Sequence, residues 1–354
     1  MKLAVISVTG GGAALAERLQ ELLAADGLSV DLYRKQGRGS AGQEYDSLPP
    51  LISRLFSAYD GLVCIMAAGI VVRAIAPLVQ DKRTDPAVVV IDEAARHVIS
   101  LLSGHLGRAN QLTLDLAARL GADPVITTAT DVLGKTAPDV LAAAFDLAIE
   151  PFERLKPVNS LLAEGQSVDF VVDASLPQAK VYQDWLRQRR VEAVALADWT
   201  DRDCAAVLIT DKQLAGAASP LYLRPKTLVA GIGCRRGTPA ATILAALADA
   251  CGSVGRSPQA VGTIASVSLK ADEAGMLAAA ESIKAKTEFY EPAVLERITA
   301  EQELTISQFV KEKIGVGSVC EAAAICGAGN PTLLLRKQRY PGITVALAEA
   351  RSGL

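Results

Sequence analysis

Short apolar runs rich in β-branched residues alternate with longer helical segments along the first third of the chain. The run "KLAVISV" is followed by "GAALAERLQELLAAD", whose apolar residues recur at helical spacing, and then by the runs "GLVCIMAAG", "AVVVID" and "DPVITTATD". Runs that are apolar throughout are typical of strands buried on both faces, and strands that alternate with helices form parallel sheets. The sequence therefore predicts an open, mostly parallel α/β sheet.

The pattern changes near residue 136 and restarts near residue 225, which predicts three domains. Residues 1–135 form an N-terminal α/β domain, residues 136–224 a small α/β middle domain with the strands "SVDFVVD" and "AAVLIT", and residues 225–354 a C-terminal α/β domain. A chain of 354 residues is also too long for one ordinary core. The predicted fold class is α/β, with mostly parallel open sheets in the two outer domains.

Composition excludes several classes of protein. The longest apolar run, "LVCIMAAGIVV", is shorter than the roughly 18 residues that a membrane-spanning helix needs. The formal net charge is -3 and no basic block is present, which argues against nucleic-acid binding. The six cysteines form no C-x-x-C pair, and "MKLAVISVTGGG" is interpreted as a first strand and not a signal peptide. We therefore expect a cytoplasmic protein with free thiols and no membrane attachment.

The chain contains two histidines, His97 and His105, and they lie in different predicted settings. The segment "VVVIDEAARHVIS" predicts a hairpin whose turn runs from Asp92 to Arg96, which favours an exposed turn position for His97. His105 lies in the glycine-bounded segment "SGHLG", between a strand and a helix that begins near Arg108. Such a turn exposes backbone N–H groups that suit anions, so His105 is a candidate base, donor or ligand. A capping loop with a surface histidine is the alternative.

Cationic side chains follow several predicted strands and glycine turns. Basic groups at the ends of α/β strands commonly bind carboxylates or phosphates, although a solvated loop is an equal alternative. The segment "GIGCRRGT" lacks the third glycine of a dinucleotide fingerprint at its required position, so NAD binding is not predicted. The side chains in question are Arg73, Lys82, Arg83, Arg235 and Arg236.

The segment "ATDVLGKT", residues 129–136, partly matches a phosphate-binding loop. Ala129 replaces the first glycine of that loop, and Pro138 stands where the following helix would begin. A P-loop NTPase is therefore only a minor alternative.

Five motifs, taken in their order along the chain, resemble those of the cobalamin biosynthesis protein G family, the cobalt-precorrin-5A hydrolases of the anaerobic vitamin B12 pathway. They are "GIVVRAIAPLVQDKRTDPAVVVIDE", "VISLLSGHLGRAN", "PVITTATD", "GIGCRRGT" and "GSVCEAAAI". The resemblance covers essentially the whole chain. One departure is that Arg108 stands where the family usually has the second glycine of Gly-Gly-Ala-Asn.

The resemblance implies a substrate and a reaction. The substrate is a cobalt-containing corrin precursor ringed by acetate and propionate carboxylates. Water opens a lactone on ring A, and a two-carbon unit leaves as acetaldehyde, which gives cobalt-precorrin-5B. This is a hydrolase acting on a carbon–carbon bond, and no cofactor or protein-bound metal is implied because the substrate carries the cobalt. The implied partners are this substrate and neighbouring enzymes of the pathway, with no nucleic acid and no membrane.

The residue types suit this chemistry. Lactone opening needs a base, which contributes a factor of about 10²–10⁴ to the rate, and donors for the oxyanion. His105 is the candidate base, and Ser103 or Asn110 with the N–H groups of the helix start are candidate donors. A tetrapyrrole-binding or handover protein without chemistry of its own is the alternative. The predicted substrate-binding residues are Gly69, Arg73, Lys82, Asp85, Gly104, Thr127, Thr128, Asp131, Arg235, Arg236 and Glu321.

Overall fold

The computed structural model of the chain describes residues 1–24, 29–200, 205–214, 220–304, 306, 317–330 and 332–351. These residues form three sheets, of seven, five and five strands. Most of the paired strands within them are parallel, so the predicted α/β class with mostly parallel sheets is confirmed.

The first sheet has the strand order β3-β2-β1-β4-β5-β6-β7. Its strands are β1 (Leu3–Ser7), β2 (Val30–Lys35), β3 (Gln43–Tyr45), β4 (Gly61–Ile65), β5 (Ala87–Ile91), β6 (His97–Leu102) and β7 (Asp123–Val125). The accompanying helices are α1 (Gly10–Ala24), α2 (Leu48–Phe56), α3 (Ala68–Ile75), α4 (Ala109–Leu120), α5 (Ala129–Val132) and α6 (Pro138–Phe145).

Helices cover both faces of the first sheet, as its fully apolar strands require. Leu3 and Val5 of β1 pack with leucines of α1 and α4 on one face. Ala4 and Ile6 of the same strand pack with α2 and α3 on the other. The alternation along one strand therefore supplies two cores.

The second sheet has the order β10-β9-β11-β12-β8. Sequence analysis predicted two strands here, and the structure adds three short ones because runs of three or four residues carry too little periodicity to be recognised. The elements are β8 (Ala148–Glu150), α7 (Leu155–Ala163), β9 (Val168–Val172), α8 (Ala179–Gln188), β10 (Ala193–Ala195), β11 (Ala205–Ile209) and β12 (Leu221–Arg224).

The third sheet has the order β15-β14-β13-β17-β16, with β13, β14 and β15 parallel and the two final strands antiparallel. Helices α9 and α10 cover one face, and α11 and α12 the other. The elements are β13 (Leu228–Cys234), α9 (Ala240–Ser253), β14 (Val261–Val267), α10 (Ala274–Ser282), β15 (Lys286–Tyr290), α11 (Pro292–Glu301), α12 (Val319–Ala328), β16 (Leu333–Tyr340) and β17 (Ile343–Glu349).

Contacts divide the chain into two compact units, residues 1–144 with 162–165, and residues 145–161 with 166–354. Each sheet lies within one of the three predicted domain ranges, and the boundaries of those ranges stay a prediction. The first unit extends to Ala144, so it includes most of α6, which the boundary at residue 136 assigned to the middle domain. Among the described helices, none has the length and apolar character needed to cross a membrane.

Candidate active site

A tight hairpin reverses the chain between β5 and β6 and so decides where the site forms. Strand β6 pairs antiparallel to β5, and β7 pairs parallel to β6. The Asp92 carboxylate stabilises the turn by accepting hydrogen bonds from the backbone N–H groups of Ala94, Arg96 and His97. The predicted hairpin is therefore present, and β6 and β7 both end at the edge of the sheet where β5 begins.

The reversal brings some of the predicted residues together and separates others. Lys82 and Asp85 precede β5 and therefore lie at the same edge as the His105 turn. Gly69 follows β4 at the opposite edge, and the Arg73 guanidinium donates to the Gly69 carbonyl over 3.0 Å. A strand of five residues separates the two edges by roughly 16 Å. Gly69 and Arg73 are therefore not part of the cluster around His105.

The turn that carries His105 depends on its small residues. The backbone N–H of Ala109 donates to Ser103, and that of Asn110 donates to Gly104, which starts α4. A Cβ on Gly104 would lie 2.7 Å from Asn110 Oδ1, and one on Gly107 would lie 2.4 Å from Ser103 Cβ. The N–H groups of three turn residues donate to no partner in the described part of the chain. These residues are His105, Leu106 and Gly107.

Arg108 adopts the left-handed conformation, with a φ of 67°, at the position where the resemblance implies glycine. A non-glycine residue there costs about 1–2 kcal/mol. Its guanidinium donates to the Ala143 carbonyl in α6, which offsets part of that cost. An arginine at this left-handed position is thus accommodated by a contact with the helix that also carries Asp139.

We expect Arg108→Gly to change the free energy of unfolding by less than about 1 kcal/mol, because relief of backbone strain balances the lost hydrogen bond and the added freedom of the unfolded chain. Gly107→Ala should instead destabilise the protein by about 1–3 kcal/mol because the new methyl group overlaps Ser103. Urea denaturation of both variants measures the difference, and equal effects would contradict this description of the turn.

His105 lies between two carboxylates. Its Nε2 is 2.7 Å from Asp131 Oδ2, and its Nδ1 is 3.1 Å from Asp139 Oδ1. The side chain of His105 is 9% exposed and that of Asp139 is 5% exposed, whereas Asp131 is 34% exposed. Asp131 is therefore the member of the cluster that faces solvent.

This geometry requires an imidazolium. A neutral imidazole has one N–H and would turn a lone pair toward the second carboxylate, whereas the cation donates from both nitrogens. Burial by itself would lower the pKa of His105, but the hydrogen bonds and charges of Asp131 and Asp139 prevail and raise it from 6.5 to about 9. His105 therefore carries its positive charge at neutral pH, which differs from the expected role as a base.

The protonation of His105 couples stability to pH. Because its pKa is raised from 6.5 to about 9 on folding, the folded state binds this proton more tightly than the unfolded state does. This contribution to the free energy of unfolding is fully present below pH 6.5 and is lost as the pH rises through about 9. We expect the urea midpoint to fall over this interval, and to fall less in His105→Gln. Parallel pH profiles of the two proteins would contradict the assignment.

Asn110 positions Asp131. Its amide nitrogen donates to Asp131 Oδ2 over 3.0 Å and to Thr128 Oγ1 over 3.1 Å, and its Oδ1 accepts from Ser100 Oγ over 2.6 Å. Both amide hydrogens are thus engaged, which leaves neither for an oxyanion. Asp131 Oδ1, in contrast, has no hydrogen-bond partner in the described part of the chain.

Ser103 and Asp85 contact each other at the edge of the first sheet where β5 begins. The Ser103 hydroxyl donates to the Asp85 carbonyl over 3.0 Å, and the buried Asp85 carboxylate accepts from the backbone N–H of Gln80. These contacts fix the loop before β5 against the turn. Thr127 is exposed just after β7, beside Thr128, and remains at the edge of the cluster.

The remaining predicted residues belong to the second unit, where Arg235 and Arg236 follow β13 and Glu321 lies in α12. Arg236 is exposed and pairs with Asp272 over 3.0 Å. Glu321 is 1% exposed, and its carboxylate accepts from Ser318 Oγ and from the backbone N–H of Lys337. Glu321 therefore connects the start of α12 to β16, which is a structural role. Sequence analysis placed Glu321 at a helix start but did not predict this role.

Asp139 was missed by sequence analysis. It lies in the first turn of α6, eight positions after Asp131, in a segment that was divided between two predicted domains. The one sequence feature that could have identified Asp139 is that it is an acidic residue shortly after the motif "TATD", which ends at Asp131. Among the described residues, no group of three or more His, Cys, Asp or Glu side chains is arranged to bind a metal ion. Asp131 and Asp139 instead contact opposite nitrogens of one ring.

The structure also disfavours the phosphate-loop alternative. Ala129–Val132 forms a short helix, and Lys135 donates its backbone N–H to Thr130, so the segment folds back on itself where an open loop around phosphates would be needed.

Three family models match the chain in succession. They are Cobalamin synthesis G N-terminal over residues 50–131, Cobalamin biosynthesis central region over residues 136–225, and Cobalamin synthesis G C-terminus over residues 228–348. The chain belongs to the cobalamin biosynthesis G family. The resemblance inferred from the five motifs is thereby confirmed.

Members of the family are similar over their full length. The cobalt-precorrin-5A hydrolase of Salmonella typhimurium is 36% identical over 351 residues, 98% of this chain and 97% of that protein. The cobalt-precorrin-5A hydrolase of Priestia megaterium is 31% identical over 365 residues, with 98% and 94% covered. The crystal structure of a cobalamin biosynthesis protein G homolog from Sulfolobus solfataricus is 20% identical, with 99% and 97% covered and a TM-score of 0.40.

Proposed function

We propose that this protein is a cobalt-precorrin-5A hydrolase, which opens the ring A lactone of a cobalt-corrin precursor with water and releases acetaldehyde. Its full-length relatives carry that name. The observation that carries the proposal is the buried His105 cation clamped between Asp131 and Asp139, beside backbone N–H groups that have no partner in the described part of the chain. These are the groups that acyl transfer to water needs.

Asp131 is the base in this mechanism. His105 and Asn110 orient it by binding its Oδ2, while Asp131 Oδ1 takes a proton from the attacking water. The water oxygen forms a bond to the lactone carbonyl carbon, and the N–H groups of Leu106 and Gly107 stabilise the oxyanion. Collapse breaks the bond to the ring oxygen, and Asp131 returns the proton to the departing alkoxide. The products of this step are a hydroxyethyl group on the macrocycle and a carboxylic acid, which releases its proton to solvent and becomes a carboxylate.

The second step uses the same base. Asp131 removes the proton of the hydroxyethyl group, and the carbon–carbon bond to the macrocycle breaks in retro-aldol fashion. Acetaldehyde leaves, the conjugated ring accepts the electron pair, and the proton returns to the ring carbon. Because the ring accepts the electrons, the proposal includes no added cofactor.

Turnover by the purified protein tests this function. We expect cobalt-precorrin-5A to yield acetaldehyde, detected by its reduction to ethanol with alcohol dehydrogenase and NADH. In heavy-oxygen water the new carboxylate should be labelled, whereas acetaldehyde that is reduced to ethanol before it exchanges its oxygen with water should not. A protein that binds the corrinoid but releases no acetaldehyde in a single turnover would instead be the non-catalytic handover protein.

A further inference from the structure

Four cationic side chains of the C-terminal domain form no ion pair in the described part of the chain. Strand β16 carries Arg336, Lys337 and Arg339, and Arg235 follows directly after β13. In the described part of the chain, none of these four side chains forms an ion pair or a hydrogen bond, whereas the neighbouring Arg236 is paired with Asp272. Unpaired cations that cluster on a folded surface are available to an anionic ligand.

The strand register brings Arg339 to the edge where β13 ends. Arg339 pairs with Thr344 of β17, and Thr344 pairs with Gly233 of β13, so the three residues form one row across three strands. Paired residues point to the same face of a sheet. The row lies at the carboxyl end of the parallel strand β13, the edge at which open α/β sheets bind ligands.

The same row faces the side of the sheet that α12 covers. The neighbouring Gly231 lies under the start of α12, because a Cβ there would be 1.8 Å from the Cys320 carbonyl oxygen. Lys337 is directed to that side as well. Burial raises the pKa of the Cys320 thiol, and the nearby Lys337 ammonium partly counters that rise. Lys337 and Arg339 therefore share one face with the start of α12.

Arg235, which directly follows β13, is the third cation at this edge of the sheet. Its backbone N–H donates to the Gly342 carbonyl over 3.0 Å, and its Cδ would be 3.4 Å from a Cβ on Gly342. The side chain thus runs along the turn that joins β16 and β17. Between the cations lie the backbone of Gly233 and the side chain of Thr344, whose Oγ1 would be 2.7 Å from a Cβ on Gly233.

We propose that Arg235, Lys337 and Arg339 form a carboxylate-binding edge that holds the acetate and propionate groups of a polyanionic tetrapyrrole. Guanidinium groups bind carboxylates with two parallel hydrogen bonds, and an ammonium adds a third positive charge without fixed geometry. The identity of the ligand rests on the proposed function. The edge itself rests on the register and on the absence of side-chain ion pairs at these three cations in the described residues, in which Glu321 contacts only the backbone N–H of Lys337.

Binding of uroporphyrin, a metal-free tetrapyrrole with acetate and propionate groups, tests the edge on the full chain. We expect Lys337→Gln with Arg339→Gln to weaken binding about tenfold or more, measured by porphyrin fluorescence, and to reduce its dependence on salt. Lys286→Gln is the control for the loss of a positive charge elsewhere in the same domain, at the amino end of β15. Thermal denaturation shows whether each variant remains folded.

The two proposals fail in different ways. If the double variant binds uroporphyrin as tightly as the wild type or the control, the carboxylate-binding edge is wrong, whether or not acetaldehyde is released. If the wild type does not bind the porphyrin at low salt, the edge is also wrong and the cations serve an acidic protein partner or solubility. Loss of porphyrin binding in the variant, together with no acetaldehyde from the wild type, would support the edge and reject the proposed reaction.

Discussion

Replacement of His105 by glutamine should lower the rate of acetaldehyde release by a factor of 100 or more, on the order of the 10²–10⁴ expected for acid–base groups. Glutamine carries no charge, so the two ion pairs that hold Asp131 and Asp139 against the ring are lost and the positions of both carboxylates are no longer fixed by His105. The measurement is a single-turnover assay with cobalt-precorrin-5A and coupled detection of acetaldehyde.

His97 provides the matched control, since it is the other histidine of the chain and its side chain is 53% exposed at the first residue of β6, directly after the hairpin turn. His97→Gln should leave the rate nearly unchanged. If both variants lose activity equally, or if His105→Gln retains most of the wild-type rate while folded, the assignment of the site is wrong.

Asp131→Asn and Asp139→Asn should have different effects on activity, because Asp131 is the proposed base and Asp139 acts only through the charge of His105. Asp131→Asn removes the proposed base, and we expect a loss of about 10²–10⁴ at every pH. Asp139→Asn leaves the base in place but removes one of the two carboxylates that raise the pKa of His105. Its activity should therefore fall at a lower pH than that of the wild type, in which His105 remains protonated until the pH passes about 9.

Proton NMR can follow both imidazoles directly, because His97→Gln assigns the two signals. We expect the wild-type His105 signal to titrate near pH 9 and that of Asp139→Asn to titrate closer to 6.5. An unchanged His105 titration in Asp139→Asn would contradict the two-carboxylate arrangement. A rate loss in that variant without any shift of the pH profile would show that Asp139 serves only to hold the fold.

Local sequence patterns were sufficient to predict several elements around the site. The apolar runs predicted β1, β4 and β5, and glycine with serine predicted the turn that enters α4. These predictions succeed because strand burial and turn chemistry depend on residues that are close in the sequence. The short strands of the middle sheet were missed because three or four residues do not establish a period.

The arrangement of the residues in the site could not be predicted from the sequence. Arg73 and Lys82 both follow apolar segments, and the sequence gives no sign that they lie at opposite edges of one sheet. The charge state of His105 was also unpredictable, because its pKa depends on two carboxylates from segments 26 and 34 positions further along the chain.

The sequence alone determined the α/β class, the family and the turn that presents His105, since each depends on local patterns and ordered motifs. The tertiary structure decided which edge of the sheet carries the site, because the β5–β6 hairpin reverses the strand direction. It also decided that His105 is a cation, because α6 packs with the first unit and brings Asp139 to the ring nitrogen that Asp131 leaves open. Contacts between distant segments set both the direction of the strands and the local electric field, and neither is encoded in a short stretch of residues.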